Sequence, residues 1–302
     1  MKHIFVINPA AGNGEGAAKV KEYLDNAENI GDFEIYETKG ENDASHFCKE
    51  YCERNKDEIV RFYSCGGDGT LNEVVNGIAN YPNAILACYP CGSGDDFVKY
   101  YGGRERFLNI EKLMKAPTMP IDLIKANDRY SINVVNFGFD ACVASTMMNV
   151  KRKPVIGGKN SYKTGVAKAL LTAMKNSCKI YADGELLNPD GKFLLCTVAN
   201  GRYVGGGFHC SPKSLNNDGY IDICVAKPIS RMKFLKVLDP YTKGTHFEDH
   251  PDVFTYRRCK KVEIEAKEGF VYVVDGEIIK EKTSLTCECS HLTLNFVVPP
   301  EK

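Results

Sequence analysis

Short apolar runs alternate with segments of helical apolar spacing through the first 125 residues. The apolar runs are rich in β-branched and aromatic residues and predict strands at 3–7, 33–37, 59–63, 84–89 and 120–124. The segments between them predict helices at 17–24, 44–54, 70–79 and 107–115. Alternation of this kind is typical of a parallel sheet covered by helices, whose ligands bind at the carboxyl ends of the strands.

The pattern changes after about residue 126, where short β-rich runs are separated by turn residues. Such runs predict an antiparallel sheet or sandwich, interrupted by one helix at 164–176. A chain of 302 residues is long for one core, so two domains are expected. We assign 1–125 to an α/β domain and 126–290 to a β-rich domain, with about 291–302 returning to the first.

Three glycine-rich turns each follow a predicted strand, and they read NPAAGNG from Asn8, GGDGT from Gly66 and CGSGDD from Cys91. A turn with almost no side chain that leads into a helix lets backbone N–H groups approach an anion closely. The three turns would lie along one edge of the sheet and therefore predict a phosphate site. The alternative is a set of tight turns kept for geometry alone. Asp68 argues against that alternative, because an acid beside a phosphate calls for a metal ion or another donor between them.

Composition is that of an ordinary globular protein, with 43% hydrophobic and 26% charged residues. No apolar run approaches the roughly 20 residues that cross a bilayer. Residues 1–7 are too short for the apolar part of a signal peptide and predict a strand, so we expect a cytoplasmic protein. A formal net charge of zero argues against general binding to nucleic acid.

Thirteen cysteines are many for this length. Without a signal peptide they are expected to be reduced thiols rather than a disulfide framework. Cys88 with Cys91, and His246 with His250, have the spacing of half a zinc site, but neither pair has partners at a suitable distance in the sequence. Buried or incidental thiols are therefore the preferred interpretation.

One segment departs from the even distribution of charge, because residues 141–182 contain no acid and eight basic residues. The basic residues are Lys151, Arg152, Lys153, Lys159, Lys163, Lys168, Lys175 and Lys179. This basic stretch is either a solvated face or an electrostatic contact with an anionic membrane, where each basic residue contributes ~1 kcal/mol. The apolar residues that could insert shallowly beside it are Met147, Met148, Val155, Ile156, Leu170 and Leu171.

The glycine turns belong to a longer series of motifs. In the first half these are the segments 8–12, 66–73 and 92–97, and in the second half 200–201, 205–207, 215–220 and 275–277. In this order, and along nearly the whole chain, they resemble the diacylglycerol kinase catalytic domain family, which includes the sphingosine and ceramide kinases. The GGDGT turn alone is shared with NAD kinases, whereas the joint set is more specific to lipid kinases.

The resemblance implies an ATP site along the three turns. The positions that match nucleotide-contacting residues of the family are Asn8, Pro9, Ala10, Ala11, Gly12, Thr38, Gly66, Gly67, Asp68, Gly69, Thr70, Leu71, Asn72 and Ser93. The positions that match a structural magnesium (Mg²⁺) site are Asp218 and, through their carbonyls, Leu215 and Tyr220. Glu277 matches the family's proposed general base. Asp68, a second catalytic candidate, joins Asp96 and Asp122 as acids that could organise catalytic magnesium.

Two positions depart from the family pattern. Ser93 replaces the usual threonine and keeps the hydroxyl, whereas Asp95 replaces the usual asparagine and adds negative charge near the expected triphosphate. A metal ion or Lys99 could neutralise that charge. Asp95 therefore bears on nucleotide affinity rather than on the class of reaction.

The resemblance implies an ATP-dependent kinase that transfers the γ-phosphate to a lipid hydroxyl, with diacylglycerol or a related glycerolipid as the leading substrate. Peripheral contact with a membrane and assembly as a homodimer are compatible with this role. The alternatives are a NAD kinase-like enzyme that phosphorylates a soluble metabolite, and a nucleotide-binding regulator without activity. An intact base position and intact phosphate turns argue against the regulator.

Overall fold

A computed structural model describes residues 1–27, 31–151, 168–281 and 283–301. The sheet of the N-terminal domain contains β1 (Lys2–Ile7), β2 (Phe33–Glu37), β3 (Val60–Gly66), β4 (Ala84–Pro90), β5 (Thr118–Ile121) and, from the far end of the chain, β20 (Leu294–Val297). Its strand order is β2-β1-β3-β4-β20-β5. All neighbours are parallel except β20 and β5, so the predicted parallel sheet has one antiparallel edge strand.

Helices cover this sheet. They are α1 (Glu15–Asn26), α2 (Asp43–Arg54), α3 (Asp68–Ile78), α4 (Asp96–Lys99) and α5 (Ile110–Lys115), with 3-10 turns at Ala11–Gly14 and Arg104–Phe107. Each long helix packs one apolar face on the sheet, as Val20 and Leu24 of α1 and Val74 and Ile78 of α3 show by their complete or nearly complete burial. Burial of such a side chain stabilises the fold by about 1.5–3 kcal/mol, so the strand–helix alternation closes one continuous core.

In the first domain, three predicted elements differ from the structure by more than two residues at one end. The strand expected at 59–63 runs from Val60 to Gly66, and Ile59 remains 55% exposed. The helix expected at 107–115 begins only at Ile110, because the Asn109 side chain accepts a hydrogen bond from the Lys112 amide and caps it there.

The third element is the strand expected at 120–124, which divides between two sheets. β5 ends at Ile121 and β6 (Ile124–Ala126) belongs to the next domain. The Asp122 amide donates to the carbonyl of Asn216, at 2.7 Å, rather than to a strand neighbour. The chain thus crosses between the domains at this acid.

Two six-stranded sheets face each other in the C-terminal domain. Besides β6, their strands are β7 (Arg129–Ser131), β8 (Val134–Gly138), β10 (Lys179–Ala182), β11 (Glu185–Leu186), β13 (Leu195–Ala199), β14 (Ile221–Ala226), β15 (Phe254–Cys259), β16 (Lys261–Glu265), β17 (Phe270–Val274), β18 (Glu277–Glu281) and β19 (Ser284–Cys289). The orders are β11-β10-β16-β19-β6-β7 and β15-β14-β13-β8-β17-β18, and their pairings are antiparallel. A small pair, β9 (Asn176–Ser177) with β12 (Lys192–Phe193), completes the strands.

Apolar side chains from both six-stranded sheets form one buried cluster, with Ile180 and Val262 on one side and Val198 and Ile223 on the other. The domain is therefore a sandwich, since both sheets bury one face against the other. This confirms the predicted fold class, an α/β domain followed by a β-rich antiparallel sandwich.

Helices close the outer face of the second sheet. They are α6 (Phe139–Lys151), the helical residues 168–172, α7 (Arg231–Lys243) and α8 (His246–Asp249). Of the helix predicted at 164–176, residues 164–167 lie outside the described residues. Helical geometry ends at 172, and the Asn176 side chain donates to Leu194 O at 2.8 Å where β9 begins. Within the described part of the chain, no helix has the length and apolar character to cross a membrane.

Asp275 joins the two domains. Its buried carboxylate accepts five hydrogen bonds, which come from Asn72 Nδ2, Ser131 Oγ and the amides of Ile132, Asn133 and Val134. Asn72 lies on α3 of the first domain, and the other donors lie between β7 and β8. One side chain therefore ties the helix that follows the second glycine turn to the β-rich domain.

We expect Asp275→Asn to lower the free energy of unfolding by ~2 kcal/mol or more. The substitution replaces one acceptor oxygen of the carboxylate by an NH2 group, which cannot accept a hydrogen bond from the surrounding donors. At least one buried donor would therefore lose its acceptor. Asp183→Asn is the matched control, because Asp183 also opens an Asp-Gly turn with positive φ but is exposed. Urea unfolding of both variants checks the expectation, and equal losses would show that Asp275 has no special part in joining the domains.

Candidate active site

The three glycine turns meet at the carboxyl ends of β1, β3 and β4. Asn8 Nδ2 donates to Thr70 Oγ1 at 3.0 Å and links the first turn to the second. The Cys91 amide donates to Gly66 O at 2.8 Å and links the third turn to the second. The first and third turns also touch, because a Cβ on Gly12 would lie 2.0 Å from Cys91 O. The expected cleft edge is one continuous surface of backbone.

The second turn presents unused backbone donors. Leu71 N donates to Gly67 O at 3.0 Å as the first helical hydrogen bond of α3, so the amides of Asp68, Gly69 and Thr70 precede the helical pattern. Gly69 has open space around it, with nothing within 4 Å of an added Cβ. The α3 N-terminus, with its partial positive charge, therefore faces a place where an anion can approach.

Asp68 organises the third turn. Its two carboxylate oxygens accept from the amides of Asp95 and Asp96, each at 3.0 Å. Gly94 fits only because it has no side chain, since a Cβ there would lie 2.4 Å from Asp68 Oδ2. Burial, and then the neighbouring Asp96 carboxylate, raise the pKa of Asp68 from 3.8 to about 7. The carboxyl thus holds the loop and titrates close to neutral pH.

Asp96 extends from this loop to the other domain. Its carboxylate accepts from the Gly206 amide at 3.0 and 3.1 Å and pairs with Lys99 Nζ at 2.5 Å. The unusual acid Asp95 lies beside it, buried, and its nearest cation is Arg104 at 3.4 Å. Burial raises the pKa of Asp95 against the opposing effect of Arg104. Arg104, rather than the expected Lys99, is therefore the ion-pair partner of Asp95.

The segment 215–220 lies at the domain junction. Asp122, from the first domain, accepts from the Gly219 amide at 2.7 Å. Asp218 Oδ2 is buried and lies 3.1 Å from Arg258 Nη1, an ion pair whose geometry is not that of a hydrogen bond. Among the described residues there is no cluster of three or more histidine, cysteine or acidic side chains around a common point. Any cation here would depend on carbonyls as well as on the one carboxylate.

Glu277 begins β18, two residues after Asp275. The intervening turn has Asp275 at φ 46° and Gly276 at φ 92°, a left-handed geometry that favours Asp-Gly. Glu277 is partly exposed and its Oε2 pairs with Arg129 Nη1. Arg129 therefore orients one oxygen of the candidate base.

The sequence-predicted nucleotide residues lie in three different environments. Pro9, Ala10, Gly12 and Ser93 are exposed on the turns, and Ala11 and Thr38 are partly exposed at the ends of β1 and β2. Leu71 is buried in the core of the first domain. Asn72 is also buried, and its amide donates to Asp275 and to Tyr130 O rather than to open space.

Asp275 and Arg129 were missed as individual site residues. An Asp-Gly pair between strands is the ordinary signal for a hairpin, and Asp183-Gly184 gives the same signal on the surface. Nothing near Arg129 in the sequence connects it with Glu277, which is 148 residues away. Only the packed structure distinguishes these two residues from ordinary turn and surface residues.

The cysteines and histidines form no competing site in the described residues. All thirteen cysteines are free, and eleven are buried. His246 is buried among Tyr241, Phe247 and Phe254, and burial lowers its pKa to about 4. His246 is therefore part of an aromatic core, and this packing accounts for the residue without a metal ion.

Two family models account for nearly the whole chain. The diacylglycerol kinase catalytic domain matches residues 2–126, and the YegS C-terminal NAD kinase beta sandwich-like domain matches 133–297. The chain belongs to the diacylglycerol kinase family of lipid kinases. Membership of this kinase family makes ATP the phosphate donor.

Relatives in this family resemble the chain over most of their length. The diacylglycerol kinase of Bacillus subtilis (strain 168) is 29% identical over 90% of this chain and 88% of its own. A protein of Pseudomonas aeruginosa named "Probable lipid kinase YegS-like" is 31% identical over 70% of this chain and 68% of its own.

Solved structures share the fold. A crystal structure of a diacylglycerol kinase from Bacillus anthracis has a TM-score of 0.71 at 22% identity and covers 99% of this chain and 97% of that one. Yeast NADH kinase complexed with NADH has a TM-score of 0.50 at 11% identity and covers 99% of this chain and 84% of that one. The diacylglycerol kinase family fold and the NADH kinase fold are therefore related architectures.

The pKa of Asp68 predicts a pH dependence in metal-free protein. Because folding raises this pKa from 3.8 to about 7, the folded state retains a proton that the unfolded state loses as pH rises. The contribution of Asp68 to stability is therefore greatest below pH ~4 and falls until pH ~7. We expect the stability of the wild type relative to Asp68→Asn to decline over this interval and then become constant. Urea unfolding in EDTA at several pH values measures the difference, and a flat difference from pH 4 to 7 would contradict it.

Proposed function

We propose that the interdomain cleft transfers the γ-phosphate of ATP to a hydroxyl of diacylglycerol or a related glycerolipid. One observation carries this proposal. The Asp275 carboxylate accepts a hydrogen bond from Asn72 of α3, the helix that begins in the second glycine turn, and the candidate base Glu277 follows Asp275 by two residues. This contact supports a link between the helix of the proposed phosphate site and the strand that carries the candidate base. The named relatives, which include a diacylglycerol kinase, support the choice of lipid.

The ATP phosphates would occupy the surface formed by the three turns. The unused amides of Asp68, Gly69 and Thr70 fit an anion, and the close contacts of Gly12 and Gly94 leave the backbone uncovered. The other proposed contacts are Asn8 to Ala11, Thr38, Gly66, Gly67, Leu71, Asn72 and Ser93. Leu71 and Asn72 are buried, so they would act by placing the turn.

Magnesium fits two places in this chain. Asp218 Oδ2 is buried and has no hydrogen bond among the described residues, but it forms an ion pair with Arg258, so a structural ion would share this oxygen with the guanidinium or displace it. The carbonyls of Leu215 and Tyr220 would complete a hard oxygen set for that ion. Asp68, Asp95 and Asp96 concentrate negative charge where a triphosphate would add more, which calls for a cation beyond Lys99 and Arg104. Bound there, magnesium would supply charge neutralisation to the phosphates. Asp122 would orient the 215–220 segment through its bond to Gly219.

Glu277 would act as the general base. Its carboxylate accepts the proton of the lipid hydroxyl while the hydroxyl oxygen forms a bond to the γ-phosphorus. The bond from that phosphorus to the bridging oxygen breaks, and ADP leaves with the electron pair. Arg129 holds one oxygen of Glu277 and would leave the other for the substrate, so the pair orients the base.

The competing function is phosphorylation of a soluble metabolite in the manner of a NAD kinase. The remote likeness to yeast NADH kinase and the description of the matched C-terminal domain favour its consideration. A regulator without activity would need no carboxylate oriented by an arginine, so the Glu277–Arg129 pair weighs against the regulator. Only a substrate panel separates the two kinases.

A lipid substrate places the enzyme at a membrane surface. Of the basic stretch, Lys168, Lys175 and Lys179 are exposed, and Leu171 beside them is 74% exposed. The side chains of residues 147–151, and the whole of residues 152–167, lie outside the described residues. We propose peripheral attachment through this part of the C-terminal domain. Cytoplasmic location and homodimer formation stay predictions.

The decisive experiment follows ATP consumption against a panel of lipids and NAD, with products identified by mass spectrometry. We expect phosphorylation of a lipid hydroxyl and at least ~10²-fold lower kcat in Glu277→Gln with little change in ATP affinity, because only proton transfer is lost. Glu265→Gln, an exposed acid on β16, is the control and should act as wild type. Phosphorylation of NAD alone would establish the competing kinase, and loss of ATP binding in Glu277→Gln would remove Glu277 as the base.

The structural ion is tested through stability. A cation bound by the folded state raises the melting temperature as its concentration increases. We expect magnesium to stabilise the wild type and to have a much smaller effect on Asp218→Ala. Asn217→Ala changes the adjacent exposed residue and should keep the full response. A wild-type melting curve that ignores magnesium in differential scanning calorimetry would refute the site.

A further inference from the structure

A second cavity, of about 520 Å³, opens on the C-terminal domain and shares no lining residue with the glycine turns. Three lysines line it, Lys175, Lys192 and Lys227, and they come from three separate segments of the chain. Asn188, Pro228 and Thr255 are among the other lining residues. The fold therefore brings distant basic residues to one concave surface.

The charge of this lysine cavity is unbalanced. The only acid in its lining is Asp190, whose Oδ1 accepts from the Lys192 amide at 3.1 Å. Ion pairs occur on many surface lysines of the described chain, but none of the three cavity lysines has an acid within 4.0 Å there. Three cations on one concave surface favour the approach of an anion. Lysine is a compact point charge and a common binder of phosphate.

Exposed apolar side chains follow the cavity residue Pro228 along the chain. Met232 and Leu235, three residues apart on α7, are 70% and 59% exposed. The opposite side of α7 is buried through Phe234 and Val237. The exposed pair therefore forms an apolar stripe that the core does not explain.

The helix α7 connects this stripe with the cavity and with the basic stretch. It begins at Arg231, three residues after the cavity residue Pro228. Arg231 Nε donates to Leu170 O at 2.7 Å, which places the exposed Leu171 near the start of α7. The cavity residue Lys175 follows Leu171 by four residues. The start of α7 is thus close in sequence to one cavity residue and hydrogen-bonded to the segment that leads to another.

We propose that the lysine cavity binds the phosphate of an anionic phospholipid headgroup while Leu171, Met232 and Leu235 enter the bilayer interface beside it. This combination of cations and shallow apolar side chains is the chemistry of a protein that lies on an anionic membrane. The site is distinct from the cleft that holds the reacting lipid. It deepens the proposed function and rests on it, since it explains how a lipid kinase is retained where its substrate lies.

Vesicle binding tests the cavity. In flotation assays, we expect wild type to bind phosphatidylglycerol vesicles far better than phosphatidylcholine vesicles, and to release them at high salt. Replacement of Lys175, Lys192 and Lys227 by Gln should weaken binding at least ~30-fold, because each lysine near an anionic surface contributes substantially. The control replaces Lys49, Lys56 and Lys112, three exposed lysines of the nucleotide domain, by Gln and should change binding less than ~3-fold.

A second variant tests the apolar stripe without altering charge. Met232→Ser with Leu235→Ser should weaken binding about 10-fold or more and make the remainder more sensitive to salt, because only the electrostatic part is left. Equal binding by this double variant and wild type would overturn the insertion of α7. Binding of glycerol 3-phosphate to wild type in isothermal titration calorimetry, together with no binding of wild type to phosphatidylglycerol vesicles, would identify a site for free phosphate and overturn the headgroup proposal.

The kinase assay separates this inference from the proposed function. With diacylglycerol dispersed in detergent, the triple lysine variant should keep wild-type activity, because no bilayer is needed. If it is active there and also binds anionic vesicles as wild type does, the headgroup site is wrong while the lipid kinase stands. If wild type phosphorylates no lipid in detergent, the proposed function fails whatever the vesicles show.

Discussion

The buried carboxylate of Asp275 is the constraint on which the rest of the site depends. It brings five donors from two domains to one pair of oxygens, and burial raises its pKa even though the hydrogen bonds act in the opposite direction. A buried charge of this kind is tolerated only when every neighbour is in place. The hydrogen bonds to Asp275 therefore also fix the positions of Asn72, the start of α3 and the turn that leads to Glu277.

Negative charge is the second organising feature of the cleft. Asp68, at the start of α3, lies against Asp95 and Asp96 at the start of α4, where burial and repulsion between the carboxylates raise the pKa values of Asp68 and Asp95. Backbone amides, Lys99 and Arg104 offset part of this repulsion. The Asp96 carboxylate also accepts a hydrogen bond from the Gly206 amide of the other domain. One of these mutually repelling acids therefore connects the two sides of the cleft.

Sequence patterns predict those parts of the molecule that local physics determines. Glycine turns after strands indicate the phosphate edge, because few other reasons require so bare a chain, and the change of period near residue 126 separates the domains. Local signals do not distinguish Asp275 from Asp183, since both open Asp-Gly turns with nearly the same φ. They also miss the division of the strand at Asp122 and the Arg129–Glu277 pair, because both depend on partners far away in the sequence.

The return of β20 to the first sheet has a consequence for how the chain is made. β20 lies between β4 and β5 and supplies Phe296 to the aromatic cluster of Phe97 and Phe107. During synthesis, the sheet of the nucleotide domain lacks the strand between β4 and β5 until residue 297 has left the ribosome. All strands of the sandwich precede β20 in the sequence, so the sandwich can be completed earlier. The domain that is translated first can therefore complete its sheet only after the second domain has been translated. Until then, the edges of β4 and β5 lack a partner strand and are open to pairing with other chains.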